Sequence, residues 1–303
     1  MCLIAFALHA SSRWPLVIAA NRDEFLDRPT VPLARWKTPQ GQAILSGRDL
    51  RAGGAWFGLT AGGPGGRVAF LTNVREADPL PAPRSRGELV TRWLESQICP
   101  EDFVASLAAN PMAFAGFNLV VGDVERSQWH WVTNRPSAAK QNGIAWHHEA
   151  LKPGVYGLSN AALDSPWPKT TQLKRVLGQS LYAYEAAGDL DALQADLWHA
   201  LGSRERAEAA RLPHTGIPLA HEEALSSAFV EIPDHGYGTR SSTLLMASAG
   251  PGGWEVQMEE REHLRTAVQA GQAPNQDWQV RRESLCWPVA SALLSALPSS
   301  TAA

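Results

Sequence analysis

The segment that decides the fold is MCLIAFALHASSRWPLVIAANRDEF, residues 1–25. Two apolar runs, residues 2–8 and 15–22, flank the polar stretch HASSRW. Apolar runs of this length that are bounded by turn-forming residues are typical of buried strands. We therefore predict a β-hairpin at the start of the chain, with the charged sequence NRDE at the end of its second strand.

Further strands and helices are predicted in separate blocks. Ser85 and Glu88 have the spacing of a capping box and predict a helix that starts there. Apolar residues at three-to-four-residue intervals from Pro168 to Leu201, broken at Gly188, predict an antiparallel helix pair. Short apolar or alternating runs predict strands at residues 53–60, 67–73, 117–123, 128–134, 154–160, 229–234, 238–248, 252–260 and 277–285. This segregation favours an α+β fold with antiparallel sheets covered by helices.

The length and composition of the chain limit the classes of protein to which it can belong. The chain has 303 residues, a net charge of −3 and 19% charged residues, which is ordinary for a soluble globular protein and gives no basic face for nucleic acid. No run approaches the ~20 apolar residues of a membrane span. The stretches rich in proline and glycine are too short to be linkers. We expect one domain over residues 1–287 and a frayed tail over residues 288–303.

The cysteines and the missing motifs point to a reducing compartment. Cys2, Cys99 and Cys286 lack C-x-x-C spacing, so neither a disulfide framework nor a zinc site is indicated. No basic residue precedes the N-terminal apolar run, as a signal peptide would require, and we expect a cytoplasmic protein. The chain contains neither H-E-x-x-H nor a P-loop lysine, and we predict no metal and no cofactor.

Cys2 has two interpretations. Cysteine is among the most buried residue types, and Cys2 can be an ordinary core residue of the first strand. Alternatively, removal of Met1 makes Cys2 the first residue, so that one residue supplies both a thiol nucleophile and an α-amine base. An α-amine titrates near 7.7 to 8.0, a range suited to proton transfer at neutral pH. With Met1 retained, this nitrogen is an amide and cannot act as the base.

The NRDE segment offers groups that could assist such a nucleophile. Alternation along a strand places Arg22 and Glu24 on one face, and Asn21 and Asp23 on the other. A carboxylate can orient the ammonium form of the amine, and amides or a cation can stabilise developing charge. The alternative is a polar turn in which Arg22 and Glu24 form an ion pair in solvent.

Several ordered motifs resemble the NRDE family, also called the transport and Golgi organisation protein 2 family. The resemblance extends from residue 1 to about residue 260 and is more specific than NRDE alone. The motifs are MC at residues 1–2, NRDE at 21–24, GGAWFGLT at 53–60, LTN at 71–73, SRGEL at 85–89, GLSN at 157–160 and YGTRSST at 237–243.

The resemblance implies a fold and a set of site residues. The family is similar to N-terminal nucleophile hydrolases, which form a four-layer αββα sandwich of two antiparallel sheets flanked by helices. Within that superfamily, the choloylglycine hydrolase and penicillin acylase group is the most alike. That group usually has an Arg a few residues before its Asp, whereas here Ala20 and Arg22 occupy the nearby positions. The catalytic positions that match are Cys2, Asp23, Asn73, Asn160 and Arg240, and we add Asn21, Arg22, Glu24 and His235 as substrate-binding residues.

Two functions remain open at this point. One is an amidohydrolase that cleaves a linear amide C–N bond of a small molecule. The other is a non-catalytic carrier or trafficking protein for a hydrophobic cargo such as haem. Trp129 and Trp131 lie on one strand face and could form a binding shelf, although aromatic residues in this pattern are usually core. The Cys99-Pro100 dipeptide suits a loop between two helices better than a haem ligand. The sequence does not decide the oligomeric state.

Overall fold

The computed structural model describes residues 2–63, 65–79, 81–135, 146–263 and 278–288. Within these ranges the strands are β1 (Cys2–Leu8), β2 (Leu16–Phe25), β3 (Thr30–Lys37), β4 (Ala43–Asp49), β5 (Phe57–Thr60), β6 (Arg67–Asn73), β7 (Phe117–Asp123), β8 (Gln128–Thr133), β9 (His147–Ala150), β10 (Gly154–Leu158), β11 (Glu231–Ile232), β12 (Tyr237–Gly250), β13 (Gly253–His263) and β14 (Trp278–Pro288). The helices are α1 (Gly87–Glu95), α2 (Pro100–Leu107), α3 (Pro168–Ala187), α4 (Leu190–Leu201) and α5 (Leu219–Ala224).

The strands form two seven-stranded sheets, and the pairs within each sheet are antiparallel. The first sheet has the order β10-β1-β2-β12-β13-β14, with β11 paired to β12. The second sheet contains β3 to β9 in chain order. The predicted N-terminal hairpin is confirmed, since β1 pairs with β2 from Cys2 opposite Arg22 to Leu8 opposite Leu16. This hairpin lies inside the first sheet, between β10 and β12.

Three apolar cores hold four layers together. Ile4 and Phe6 of β1 point between the sheets, whereas Leu3 and Ala5 point to the other face and pack on α3 and α4. Trp93 of α1 is fully buried against the outer face of the second sheet. Each fully buried side chain of this size contributes roughly 1.5–3 kcal/mol. The layers run helix, sheet, sheet, helix, which confirms the predicted α+β sandwich.

The starts of helices α1 and α2 show the capping contacts that the sequence suggests. Ser85 and Glu88 make the contacts of a capping box: Glu88 Oε1 accepts from the Ser85 N–H at 3.2 Å, and Ser85 Oγ accepts from the Gly87 N–H at 3.3 Å. Helix α1 nevertheless begins at Gly87, two residues after Ser85. Cys99 is the N-cap of α2, where its sulfur accepts from the Asp102 N–H at 3.4 Å. This contact gives Cys99 a structural role.

Several elements of the structure were not predicted, and some predicted features differ from what the structure shows. Strands β3, β4 and β9 and helix α5 were not predicted. Trp129 and Trp131 are buried in the core between the sheets, so they do not form a binding shelf. Pro288 is the last residue of β14, and the rest of the predicted tail lies outside the described residues. Among the helices that the structure describes, none combines the length and the apolar character needed to cross a membrane.

Candidate functional site

The N-terminal hairpin ends at the base of a large cleft. The cleft has a volume of about 900 Å³ and is lined by Cys2, by residues 22–25 at the end of β2, and by the first residues of β12. The segment after β6 and the start of α1 close it from the second sheet. The site therefore lies where the open edge between the two sheets exposes the ends of β1 and β2.

Cys2 is 7% exposed, and its side chain lines the cleft. In the β1–β2 pairing it lies directly opposite Arg22, which places both side chains on one face of the sheet. Burial raises the pKa of the Cys2 thiol, the carboxylates of Asp23 and Glu24 raise it too, and the cation of Arg22 lowers it. A thiol with a raised pKa is protonated at neutral pH, so a nucleophilic role for Cys2 requires a base.

Asp23 is buried at the end of β2. The Thr239 hydroxyl donates to its Oδ1 at 2.7 Å, and the Tyr237 hydroxyl donates to its backbone oxygen at 3.0 Å. Burial raises the pKa of Asp23, whereas the cation of Lys169, the Thr239 hydrogen bond and the cation of Arg75 lower it. Strand alternation places this carboxylate on the face opposite Arg22.

Lys169 is the second residue of α3, and its side chain is 5% exposed. Its Nζ has no hydrogen-bond partner among the residues that the structure describes. Burial lowers the pKa of Lys169 to about 8, although the charges of Asp23, Cys2 and Glu222 act to raise it. Arg75 acts with burial to lower it. An unpaired buried amine beside a buried carboxylate is an unusual and costly arrangement.

Arg75 adds a second buried cation to this group. It forms an ion pair with Glu222 of α5, and the two side chains are 4% and 2% exposed. The Arg75 guanidinium lies 4.6 Å from the centre of the Trp167 ring. Burial lowers the pKa of Arg75, and Glu222 raises it. Asp23 is thus surrounded by two cations that the sequence analysis did not select.

Asn73 and Asn160 differ in their roles. Asn160 is buried, and its Nδ2 donates to the backbone oxygen of Asn73 at 2.9 Å. Ser159 Oγ lies 3.0 Å from the Cys2 backbone oxygen and 3.2 Å from Asn160 Oδ1. Asn73 itself is half-buried and lines the cleft. Asn160 therefore positions the backbone around Cys2 and Asn73, while the Asn73 side chain is available to a ligand.

Arg240 and His235 lie at the mouth of the cleft. Arg240 is the residue at the irregularity between Thr239 and Ser241 in the β12–β2 pairing. Its Nη1 donates to the backbone oxygen of Phe25 at 3.3 Å and to that of Arg28. His235 is exposed, and its ring contacts that of His221 with centroids 5.2 Å apart.

Asn21 and Glu24 differ in their position relative to the cleft. Asn21 is fully buried and lies outside the cleft, where its Nδ2 donates to the carbonyls of Leu201 and Ala228 at 2.8 and 2.9 Å. These bonds attach β2 to the helix layer, and the role of Asn21 in substrate binding stays a prediction. Glu24 lines the cleft, with its Oε2 3.9 Å from Arg22 Nη2 and 3.8 Å from Arg28 Nε.

Arg86, at the N-cap of α1, is a further cleft residue that the sequence analysis missed. Its Nη1 donates to the Gly116 carbonyl at 3.0 Å. Burial lowers the pKa of Arg86, and the charges of Cys2, Glu24 and Glu76 raise it. Arg86 lies inside the SRGEL motif, between the capping-box residues Ser85 and Glu88. In the ranges covered by the structure, no group of three or more His, Cys, Asp or Glu side chains could hold a metal.

The fold and the site define a two-sheet α+β sandwich protein whose N-terminal hairpin presents a cysteine to a charged cleft. A family model described as Transport and Golgi organisation 2 matches residues 1–264. The chain belongs to this family, which confirms the resemblance seen in the sequence.

Named relatives support the same assignment. The chain is 30% identical over 261 residues to the Transport and Golgi organization 2 homolog of Mus musculus, covering 82% of this chain and 89% of that protein. It is 31% identical over 265 residues to the homolog of Bos taurus, with the same coverage. It is 24% identical over 299 residues to Transport and Golgi organization protein 2 of Drosophila melanogaster, covering 92% and 95%.

Proposed function

We propose that this protein is an amidohydrolase that cleaves a linear amide C–N bond, with Cys2 as the nucleophile after removal of Met1. The observation that carries the proposal is the arrangement at the end of the hairpin. Cys2 faces the cleft, while Asp23, Lys169 and Arg75 form a buried charged group beside the same strand end. Buried groups with shifted pKa values that adjoin a cleft are typical of catalytic sites.

The first half of the reaction acylates the enzyme. The α-amine of Cys2 takes the thiol proton, and Sγ forms a bond to the amide carbon while the carbonyl π electrons move to oxygen. The side-chain amide of Asn73 donates to that oxyanion. The ammonium group then gives its proton to the leaving nitrogen, the C–N bond breaks, and a thioester to Cys2 remains.

The second half releases the acid. The α-amine takes a proton from water, and the resulting hydroxide forms a bond to the thioester carbon. The C–S bond breaks, and the thiolate recovers a proton from the ammonium group. Asp23 holds the amine in place during both halves. Burial raises the pKa of Asp23, and the charges of Lys169 and Arg75 oppose that rise.

The test combines an N-terminal mass with a substrate screen. The purified protein is expected to lack Met1 and to hydrolyse members of a panel of N-acyl amino acids and related small amides. Cys2→Ser and Cys2→Ala abolish turnover without unfolding the chain, because only the covalent step needs the thiol. Cys286→Ala is the matched control, since Cys286 is exposed on β14. Retention of Met1, or hydrolysis that survives in Cys2→Ala, contradicts the proposal.

The second candidate is a carrier that holds a hydrophobic cargo such as haem without cleaving it. The printed names of the relatives refer to transport and Golgi organization. The contact between His221 and His235 at the rim provides two imidazoles that could bind an iron centre. A carrier is expected to bind haem equally well in wild type and Cys2→Ser, and to lose affinity in His235→Ala. Haem binding that is unchanged by His235→Ala argues against this role for the rim.

A further inference from the structure

The Arg22 guanidinium lies beside Cys2 and forms no hydrogen bond with any other residue that the structure describes. Its side chain is buried, faces the cleft and lies across the strand pair from Cys2. The nearest carboxylate oxygen is Glu24 Oε2 at 3.9 Å, which is too long for a hydrogen bond. A guanidinium has five N–H donors, and those of Arg22 adjoin the open cleft, where a ligand can accept from them.

Arg86 faces the same space from the second sheet. It lines the cleft, and its guanidinium donates to the Gly116 carbonyl as its one hydrogen bond to a described residue. In the part of the chain that the structure describes, no carboxylate lies within ion-pair distance of Arg86. Glu76 is near Arg86, but it forms an ion pair with Arg135 at 2.8 Å. Arg86 therefore also lacks an anionic partner.

The described acids around Cys2 form no close ion pair with either of these two cations. Glu24 is shared at long distance between Arg22 and Arg28, and Arg28 forms a 2.7 Å ion pair with Asp49. Glu260 also lines the cleft, but its Oε1 accepts from the Leu33 N–H at 2.7 Å. A small planar anion between Arg22 and Arg86 would supply the missing acceptors, since guanidinium groups bind carboxylates with paired hydrogen bonds.

We propose that Arg22 and Arg86 form an anion-binding subsite beside Cys2 that takes a carboxylate of the substrate. The substrate class is then an amide that carries a carboxylate close to its scissile bond, such as an N-acyl α-amino acid. The short separation follows from the strand pairing, because directly opposite side chains have Cβ atoms about 4.5–5.5 Å apart. The role of this ligand as a substrate rests on the proposed hydrolase. The binding of an anion rests on the two guanidinium groups alone.

The test measures binding without turnover. Full-length Cys2→Ala protein is titrated by calorimetry with N-octanoylglycine and with the neutral, nearly isosteric N-octanoylglycinamide. We expect about tenfold tighter binding of the glycine compound, as for charge-assisted hydrogen bonds. Arg86→Gln and Arg22→Gln should each reduce this preference to about twofold, and Arg86→Lys should retain an intermediate preference.

The matched control is Arg84→Gln. Arg84 also lines the cleft but is exposed and forms an ion pair with Glu88 at 2.7 Å. Its variant should keep the full preference for the glycine compound. Arg22 is buried, and its variant could unfold; Arg86 is less buried, so Arg86→Gln tests the subsite in a folded protein, which thermal melting verifies.

Three results overturn the subsite. They are equal affinity for the two compounds in Cys2→Ala, no binding of N-octanoylglycine at about 1 mM, and a preference that survives in Arg86→Gln. If inorganic phosphate displaces N-octanoylglycine at lower concentration than acetate does, the ligand is a phosphate and the carboxylate assignment is wrong. If Cys2→Ala prefers the glycine compound while the wild-type chain hydrolyses neither that compound nor any amide of the panel, the subsite stands and the hydrolase is wrong.

Discussion

The hydroxyl of Thr239 donates a 2.7 Å hydrogen bond to Oδ1 of Asp23, and both side chains are buried. The bond joins β12 to β2 at the position where the cleft begins. It also opposes the effect of burial on Asp23, because a donor favours the ionised carboxylate and lowers its pKa. One hydrogen bond thus connects the sheet to the charge state of the site.

Thr239→Val should destabilise the protein by about 1.5–3 kcal/mol, because it removes both the donor to the buried Asp23 carboxyl and the acceptor of the Val230 N–H at 2.9 Å while preserving the shape of the side chain. Urea unfolding at pH 7 measures the loss. The control is Thr243→Val on the same strand, since the buried Thr243 hydroxyl has no partner among the described residues. That variant should be neutral or slightly stabilising. Equal losses in the two variants would show that the Asp23 bond contributes nothing.

Much of the fold could be predicted from the sequence because its central strands are continuous apolar runs. The three strands that were missed lack this signal. In β3 only Leu33 is buried, and Pro32 lies within the irregular pairing between Val31 and Ala34. All four residues of β9 are exposed. These strands are specified by pairing with their neighbours, which local patterns do not show.

The site could be predicted from the sequence only for residues that belong to the N-terminal hairpin or to a recognisable motif. Cys2, Asp23 and Asn73 were identified in this way and meet at one cleft. Arg75 lies two residues after LTN, but its partner Glu222 is 147 residues away, and no local pattern joins them. A signal for Lys169 did exist. It lies four residues before Leu173 on the buried stripe of α3, where a lysine is out of place.

Lys169 should make stability depend on pH in the alkaline range. Its pKa in the folded protein is about 8, because burial outweighs the nearby carboxylate, whereas an unfolded lysine titrates near 10.4. Between these values the unfolded chain binds a proton that the folded chain does not, so the free energy of unfolding rises with pH. The total rise from this residue is on the order of 3 kcal/mol.

The measurement compares wild type with Lys169→Met by urea unfolding from pH 7.5 to about 10.5, the range set by the two lysine pKa values. Wild type should gain stability relative to the variant as the pH increases. Lys174→Met on the same helix controls for the loss of a lysine, since Lys174 is partly exposed and pairs with Asp164. If the free energies of unfolding of wild type and Lys169→Met change with pH in the same way, the buried amine does not titrate in this pH range.

Replacing only one partner of the Arg75–Glu222 pair should lower the free energy of unfolding. Both side chains are buried, and Glu222 Oε1 also accepts from the Thr215 N–H at 2.9 Å. Arg75→Met or Glu222→Gln alone should cost about 3–5 kcal/mol, because each leaves a buried group without its partner.

The double variant Arg75→Met/Glu222→Gln should recover part of that loss, since it removes both charges. Chemical denaturation of the four proteins gives the coupling energy of the pair. Strictly additive losses would mean that the two side chains do not stabilise each other in solution.

Gly54→Ala should displace the start of α1. A Cβ at Gly54 would lie 2.5 Å from the carbonyl carbon of Gly87 and 2.6 Å from its oxygen, so backbone must shift to admit it. Gly87 directly follows Arg86, and the shift therefore moves the guanidinium that faces Cys2. We expect a loss of about 1–3 kcal/mol in the free energy of unfolding, as for other overpacked positions.

Gly62→Ala provides the control for this substitution, because a Cβ at Gly62 meets nothing within 4 Å. It should change stability by no more than about 0.5 kcal/mol, as is usual for surface sites. In the Cys2→Ala background, Gly54→Ala should also weaken the preference for N-octanoylglycine over its amide, whereas Gly62→Ala should not. A stable Gly54→Ala protein with the full preference would show that the close approach of Gly54 to Gly87 does not hold Arg86 in position.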